Sequence, residues 1–491
     1  MENENQSIEV DLATVKQRTI RGVTALTGRM VVIQIISFLG FFLLTLFLGP
    51  AEFGLFFAVS ELVAILGYFS DIGLAAALIQ KKETPEVQEV RSTFTIQQII
   101  VLSLILIVYI LSPWLKNYYH IGNQGTFLLW ALIAGFFLAS LKTIPSVLLE
   151  RKLRFDLLAF IEIVETIIFY GLAVVLAWKG FGVISYAWAV LTRGLVGVIL
   201  VYSFSPWPVG LAFERQSLKH LLKFGVPYQA NSFLAVIKDR LMNVVLWKII
   251  GVDGVGILGW AQKWAQMPLR FIMDSVMKVT FPAFSRMQDN QEELKKAIEK
   301  TLFFISLLSV PIFAGMILFV KPIILLIPKY GKWEVALISL YFYIFNSFWA
   351  AITTPLTNAL SAIGKIKTVF KLMVMWTILT WILYPVMAVK FGYNGVALAS
   401  ALVGLSSLVA IWTAKKAIDF NLWSSINKPL FASLVMSLFI IFLKPILGVS
   451  VFGILSIITA SAIIYFGIII ITTGPTFLDD VKKIFLSLKK S

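Results

Sequence analysis

Charged side chains inside long apolar segments are the residues of this chain whose type and spacing could do chemistry. Lys263, Arg270, Asp274 and Lys278 fall within about 80° of one another on a helix, which makes a single polar stripe. A charge at the centre of a membrane span costs about 2.5–3.5 kcal/mol on insertion scales, so it normally faces a bundle interior or a water-filled cavity. We interpret the stripe as cavity-lining. The alternative is a self-neutralising face packed on another helix, with Asp274 pairing one turn away in either direction.

A second group of charges lies near the middle of another apolar segment. Lys238, Asp239 and Arg240 are consecutive, so on a helix they fan over about 200° and cannot all face one side. Asn231 lies on the Lys238 face, because seven residues bring a helix nearly back to the same azimuth. The sequence thus predicts five candidate binding residues for an anionic group: Lys238, Arg240, Lys263, Arg270 and Asn231.

Carboxylates mark the first half of the chain. Glu61 lies deep in one segment, and Glu162 and Glu165 lie one turn apart in another. Buried carboxylates are suited to binding H⁺ or Na⁺, and they are equally suited to pairing with Arg193 as a structural tie. The candidate ion-coupling residues are Glu61, Glu162, Glu165, Asp239 and Asp274.

Fourteen apolar stretches position these residues. With 59% hydrophobic and 14% charged residues, the composition lies outside the range of soluble domains, and each stretch has the ~20 residues that a helix needs to cross a bilayer. The predicted spans are 28–48, 53–76, 93–112, 124–144, 157–178, 181–203, 224–249, 254–281, 301–320, 333–360, 368–389, 394–413, 428–447 and 451–472.

The distribution of Lys and Arg predicts the orientation. About 28 of the 42 basic residues fall in loops on the side of the N-terminus and about 8 in the opposite loops, which places both termini in the cytoplasm of a multi-pass cell-membrane protein. The same bias explains the net charge of +16 without nucleic acid, and it favours contact with anionic membrane lipids.

An internal repeat predicts two lobes. Leu48-Gly49 leads through Gly54-Leu55 to Glu61, and Ile250-Gly251 leads through Gly256-Ile257 to Lys263 at the same spacing. We therefore expect a cytoplasmic segment at 1–27 that is interfacial or frayed, an N-lobe at 28–203, a linker at 204–223, a C-lobe at 224–413, a closing helix pair at 428–472 and a cytoplasmic tail at 473–491.

Several classes of function are excluded by what the sequence lacks. There is no cysteine, and only His120 and His220 could supply imidazole, so thiol chemistry and a His-based metal site are not expected. No P-loop and no nucleophile elbow occurs, and the loops are too short for a glycosyl-transferring site. We therefore expect neither an enzyme nor a cofactor.

Four short stretches resemble one family. They are Leu48-Gly49-Pro50-Ala51-Glu52-Phe53-Gly54-Leu55, the run from Asp71 to Gln80, Glu150-Arg151-Lys152-Leu153-Arg154-Phe155, and Phe281-Pro282-Ala283-Phe284-Ser285. They resemble span junctions of the Wzx-like polysaccharide transporters, the oligosaccharide flippases of the multidrug/oligosaccharidyl-lipid/polysaccharide (MOP) superfamily.

This resemblance implies an all-α polytopic membrane protein, with two six-helix lobes around a central cavity and a C-terminal helix pair. It implies transport of undecaprenyl-diphosphate-linked oligosaccharide for a cell-surface polysaccharide by alternating access. The implied partners are the lipid-linked oligosaccharide, membrane lipids, H⁺ or Na⁺, and glycan polymerase or assembly proteins. Three alternatives stay open: a cation-coupled multidrug exporter or a peptidoglycan-precursor flippase of the same superfamily, and a membrane-embedded glycan polymerase or ligase.

Overall fold

The computed structural model describes residues 12–70, 73–81, 83–214, 236–447 and 450–474, and every regular element within these ranges is helical. The chain divides into two compact units, Met1–Gly256 and Ile257–Ser491. The helices are α1 (Leu12–Phe47), α2 (Pro50–Phe69), α3 (Leu74–Gln80), α4 (Val87–Tyr118), α5 (Asn123–Arg151), α6 (Phe155–Trp178), α7 (Ile184–Phe204), α8 (Met242–Arg286), α9 (Gln291–Leu326), α10 (Leu337–Ala362), α11 (Ile366–Leu405), α12 (Ser407–Ala417), α13 (Leu422–Leu447) and α14 (Val451–Thr473). A π-helical turn (Ile237–Leu241) leads into α8, and a 3₁₀ turn (Gly331–Ala336) leads into α10.

Within these ranges, twelve helical stretches are long and apolar enough to cross a membrane. The two longest of them are Lys238–Asp274, with 37 residues, and Ile366–Ala417, with 52. Each is broken at a glycine with positive φ, Gly251 at 71° and Gly392 at 61°, a backbone conformation that other residues rarely adopt. The breaks fall between the predicted spans 224–249 and 254–281, and between 368–389 and 394–413. The predicted all-α multi-pass membrane fold is confirmed.

Helices α5 and α6 form the centre of the first unit. Helix α6 packs against α1, α5 and α7, while α5 also packs against α2 and α4. Aromatic side chains fill the space between these helices: the ring of Phe56 on α2 stacks on that of Tyr186 on α7, with centroids 3.8 Å apart. The two helices that carry the candidate carboxylates of the first half, α2 and α6, are therefore held by neighbours over much of their length.

Two glycines at equivalent places in the repeat touch each other inside the first unit. A methyl group added at Gly54 would collide with the backbone of Val252 and Gly256, and one added at Gly256 would collide with the backbone of Pro50 and Gly54. The contact is reciprocal, because Pro50 precedes Gly54 by the same interval as Val252 precedes Gly256. Close approach of two helix backbones requires small residues, which explains why glycine occupies both positions.

The start of α8 is also clamped to the end of α4. Lys248 Nζ donates to the carbonyl oxygen of Tyr118 at 2.8 Å and lies 4.2 Å from the centroid of its ring. The Tyr119 ring stacks on Trp247 with centroids 4.4 Å apart. Burial raises the pKa of the Tyr119 phenol, so its hydroxyl stays protonated and donates to the Val244 carbonyl at 3.5 Å. These contacts explain why the residues up to Gly256 belong to the first compact unit.

Arg151, the last residue of α5, ties this helix to the end of α3. Its guanidinium donates to the carbonyl oxygens of Leu78 at 2.5 Å, Lys81 at 2.7 Å and Glu83 at 2.7 Å. These carbonyls lie at and just beyond the end of α3, where a helix leaves its last acceptors unpaired. The neighbouring Arg154 pairs with Asp156, and the hydrogen bond to that carboxylate raises the pKa of Arg154.

In the second unit the closing helix pair packs on α9. Helix α13 lies against α9 and α14. The Tyr465 hydroxyl on α14 donates to the Leu307 carbonyl on α9 at 2.8 Å, within an apolar core that includes Met436 and Ile457. Helices α10 and α11 pack together beside them. Side chains cap two helix starts: Asn290 accepts from the Glu293 N–H, and Ser450 accepts from the Gly453 N–H.

Some predictions fall outside the described residues. These are Asn231, residues 215–223 of the linker 204–223, the beginning of the predicted span 224–249, the beginning of the segment 1–27 and nearly all of the tail 473–491. Residues 12–27 belong to the same helix as the first predicted span. The division into an N-lobe and a C-lobe stays a prediction.

Candidate functional site

Glu165 is the centre of a buried ionic cluster in the first unit. Its carboxylate on α6 accepts from Lys142 Nζ on α5 at 2.5 Å and from Arg193 Nε on α7 at 3.4 Å. The side chain of Glu165 is only 5% exposed. A carboxylate so far removed from water needs charged partners, and here two cations from two other helices supply them. The cluster ties α5, α6 and α7 together.

One turn away on α6, Glu162 makes a second ion pair. Arg29 Nη1 on α1 lies 2.6 Å from Glu162 Oε2. The two carboxylates of α6 thus receive cations from different directions, Glu162 from α1 and Glu165 from α5 and α7. The Nε atom of Arg29 is buried and has no hydrogen-bond partner.

Glu61 pairs with Arg240 rather than with Arg193. Arg240 Nη1 lies 2.8 Å from Glu61 Oε2, and the Glu61 side chain is 9% exposed. Arg240 belongs to the π-helical turn that precedes α8. In the same turn Lys238 Nζ lies 3.2 Å from Asp239 Oδ1. Such turns widen a helix locally and are frequent at functional sites. Here Lys238 and Asp239 of the turn pair with each other, while Arg240 pairs with Glu61 on α2.

Glu162 is exposed on the side of α6 that faces away from the exposed apolar side chains of this helix. The exposed apolar side chains of α6 are Phe160, Ile167, Val175 and Trp178. They lie about 140–220° around the helix from Glu162, which is nevertheless 43% exposed. Half-exposed charge opposite a lipid-facing surface requires water or a polar solute beside it.

In the second unit the predicted polar stripe lies on the exposed face of α8. Arg270, Asp274 and Lys278 are exposed, and Lys263 is partly buried. The opposite face of the helix is packed, with Ala261, Ala265 and Leu269 buried. Arg270 Nη2 donates to Gln266 Oε1 on its own helix at 3.4 Å. A row of charge on the open face of a membrane-length helix is incompatible with hydrocarbon, so it indicates a polar environment on that side.

The structure therefore distributes the candidate residues over several groups. Glu61 meets Arg240, and Asp239 meets Lys238. Glu162 on α6 pairs with Arg29, and Glu165 on α6 pairs with Lys142 and Arg193. Lys263, Arg270 and Asp274 share one face of α8, which is exposed at Arg270 and Asp274 and partly buried at Lys263. Among the residues that the structure describes, no group of three or more His, Asp or Glu side chains could hold a metal ion.

Two cations of these ion pairs were missed by the sequence reasoning. Arg29 and Lys142 both lie within predicted spans, 28–48 and 124–144, but each is close to an end of its span. A cation near a span end is usually explained by contact with lipid headgroups. The signal that could have found them is the charge imbalance, because three carboxylates in the first half exceeded the single cation, Arg193, assigned to the interior.

Comparison with known proteins shows the family to which the chain belongs. The family model described as "Polysaccharide biosynthesis protein" matches residues 43–337. The chain belongs to this Wzx-like flippase family of the MOP superfamily, a family of transporters and not of enzymes. It is thus a multi-pass membrane protein of polysaccharide biosynthesis.

Individual relatives are distant. The chain is 21% identical to the lipopolysaccharide biosynthesis protein WzxC of Escherichia coli, over 74% of either chain. It is 21% identical to the teichuronic acid biosynthesis protein TuaB of Bacillus subtilis, and spans about half of that protein, 51% of its length. The solved lipid II flippase MurJ in an inward closed conformation shares the fold, with a TM-score of 0.72, 19% identity and coverage of 92% of this chain and 98% of that one.

Proposed function

We propose that the protein moves oligosaccharide units linked to undecaprenyl diphosphate from the cytoplasmic to the outer leaflet for export of a cell-surface polysaccharide. It does so by alternating access, with fourteen spans, two six-helix lobes around a central cavity and both termini in the cytoplasm. The family match and the relatives in lipopolysaccharide and teichuronic acid biosynthesis support the substrate class. The glycine breaks at Gly251 and Gly392 support fourteen spans, because each falls between two of the spans predicted from the sequence.

The observation that carries the proposal is the exposed charge of α8. Three cations, Lys263, Arg270 and Lys278, accompany one carboxylate, Asp274, on that helix face. A diphosphate headgroup is anionic and strongly hydrated, so a cationic lining offsets part of the cost of moving it through the membrane interior. We assign Lys238, Arg240, Lys263, Arg270 and Asn231 to the headgroup site.

Coupling to an ion gradient is assigned to the carboxylates. We assign the binding of H⁺ or Na⁺ to five carboxylates, at which the ion would take the place of a basic side chain: Glu61, Glu162, Glu165, Asp239 and Asp274. The half-exposed Glu162 is the most accessible carboxylate of the α6 pair, since its side chain is 43% exposed and that of Glu165 is 5% exposed. Ion exchange at Glu162 would compete with its pairing to Arg29.

The transport test uses proteoliposomes and the double variant Lys263→Gln, Arg270→Gln. Loss of two charge-assisted contacts, each contributing about 1.5–3 kcal/mol, should reduce flipping of a fluorescent undecaprenyl-diphosphate oligosaccharide about a hundredfold or more. The matched control is Lys296→Gln, Lys300→Gln, which removes two exposed cations near the start of α9. Wild-type flipping by the double variant would refute the cationic site. Equal or faster flipping of lipid II would favour the peptidoglycan-precursor alternative.

Orientation is tested with single cysteines, which the natural chain lacks. His120→Cys and Leu325→Cys should react with a membrane-impermeant maleimide added to whole cells. Glu86→Cys and Asn290→Cys should react only after the membrane is opened. Labelling of Glu86→Cys in intact cells, with His120→Cys protected, would reverse the proposed topology.

A further inference from the structure

The guanidinium of Arg193 has an edge that the protein does not use. Its Nε donates to Glu165 Oε2 at 3.4 Å, and its Cζ lies 5.8 Å from the centroid of the Phe169 ring. In the part of the chain that the structure describes, neither Nη1 nor Nη2 has a protein acceptor. An arginine has five N–H donors in a planar fork, so the outer edge is open to an oxyanion with two oxygens at the right spacing.

This open edge lies on the inner side of α7. The exposed apolar side chains Trp188, Leu195 and Ile199 lie about 200–240° around the helix from Arg193. The buried residues Tyr186 and Gly197 lie within about 40° of it. Arg193 is nevertheless 44% exposed, so its side chain is open to solvent on the side turned away from lipid.

Glu165 holds Arg193 in this position and is itself firmly held. Lys142 fixes one carboxylate oxygen, and a notch at Gly197 receives the carboxylate, because a methyl group there would collide with Oε1 of Glu165. One carboxylate between two cations leaves a net positive charge. The cluster is therefore both rigid and cationic, which suits recognition of phosphate more than of a neutral sugar.

We propose that Arg193 binds two oxygens of the diphosphate group of the transported lipid through its Nη edge. Glu165 is a positioning residue that orients this edge. The inference rests on the proposed function and adds a phosphate contact within the first unit. The Nε of Arg193 donates to Glu165 while its two Nη atoms donate to the phosphate. Lysine cannot replace it, because a single ammonium group does not present donors on two separate edges.

The test measures binding of farnesyl diphosphate to the full-length protein in phosphatidylcholine nanodiscs, with farnesol as the uncharged comparison. The variants are Arg193→Gln, Arg193→Lys and Glu165→Gln, and the control is Lys179→Gln, an exposed cation just beyond α6. Arg193→Gln should weaken binding about ten- to a hundredfold, as loss of a charge-assisted contact does. Arg193→Lys should weaken it almost as much, and Lys179→Gln should not change it.

The Glu165→Gln variant separates positioning from simple charge. Removing a carboxylate makes the site more positive, so tighter binding would show that only charge matters and would overturn the positioning role. Weaker binding supports it. If Glu165→Gln does not yield folded protein, as judged by its melting temperature, Arg193→Lys decides the question, since it keeps the charge.

Two further outcomes separate this inference from the proposed function. Unchanged binding in Arg193→Gln, with weaker binding in Lys263→Gln, Arg270→Gln, would refute the Arg193 site and leave the function standing. Equal binding of farnesyl diphosphate and farnesol by the wild type would refute both. If phosphatidylglycerol nanodiscs abolish diphosphate binding to the wild type, the phosphate held at Arg193 belongs to a bilayer lipid, and the assignment to the transported lipid is wrong.

Discussion

In the first unit Glu61, Glu162 and Glu165 each meet a cation within hydrogen-bonding distance, whereas in the second unit Arg270, Asp274 and Lys278 lie on an exposed face of α8. Both arrangements place charge inside membrane-length helices. The difference lies in what a solute could reach. The charge at Glu165 is buried and holds three helices together, while Arg270, Asp274 and Lys278 on α8 are exposed. Stability should therefore depend more on the first set, and contact with the substrate more on the second, with Arg193 taking part in both.

The largest effect is expected when the buried carboxylate is removed. Glu165→Ala leaves Lys142 and Arg193 without their counter-ion, and breaking a buried ion pair from one side costs about 3–5 kcal/mol. The measurement is the free energy of unfolding, or the melting temperature, of the purified protein in detergent. Arg270→Gln is the comparison, and as an exposed substitution it should change stability by about 0.5 kcal/mol or less. If Glu165→Ala and Arg270→Gln lowered the free energy of unfolding equally, buried and exposed charge would not differ in their contribution to stability.

A smaller effect is expected from Gly54→Ala, which tests packing in place of charge. The added methyl group meets the backbone of Val252 and Gly256, which cannot move aside as a flexible side chain could, and overpacking of this kind typically costs about 1–3 kcal/mol. Gly467→Ala on α14 is the control, because nothing lies within 4 Å of the added atom. A melting temperature of Gly54→Ala at or above that of Gly467→Ala would show that the close contact is not needed.

The class of fold could be predicted because it depends on local composition. Runs of about twenty apolar residues locate helices that cross a membrane. Gly251 and Gly392 fall between predicted spans, because a break in a helix with positive φ needs a residue that tolerates this conformation. The polar stripe of α8 followed from helical periodicity within one element. Each of these predictions used residues close together in the chain.

The ionic partners could not be predicted in the same way. Arg240 lies far from Glu61 in sequence, and Arg29 far from Glu162, so their pairing follows from how helices pack and not from any local pattern. Arg193 was recognised as a partner for a carboxylate, but its specific partner, Glu165, and the additional cation Lys142 depend on the contacts of α5 and α7 with α6. The clamp between α4 and the start of α8, which extends the first compact unit to Gly256, likewise left no signal in periodicity.

The reciprocal contact of Gly54 with Gly256 bears on the ancestry of the chain. In a symmetric dimer, residue i of one subunit touches residue j of the other and j touches i, so a residue near the two-fold axis meets its own copy. Gly54 and Gly256 meet in this way, each against the backbone that precedes the other. A half-length protein that paired with itself, and whose two copies were then joined in one polypeptide, would leave a contact of this kind. After such a fusion the two glycines are separate codons, yet neither can acquire a side chain unless the other helix moves.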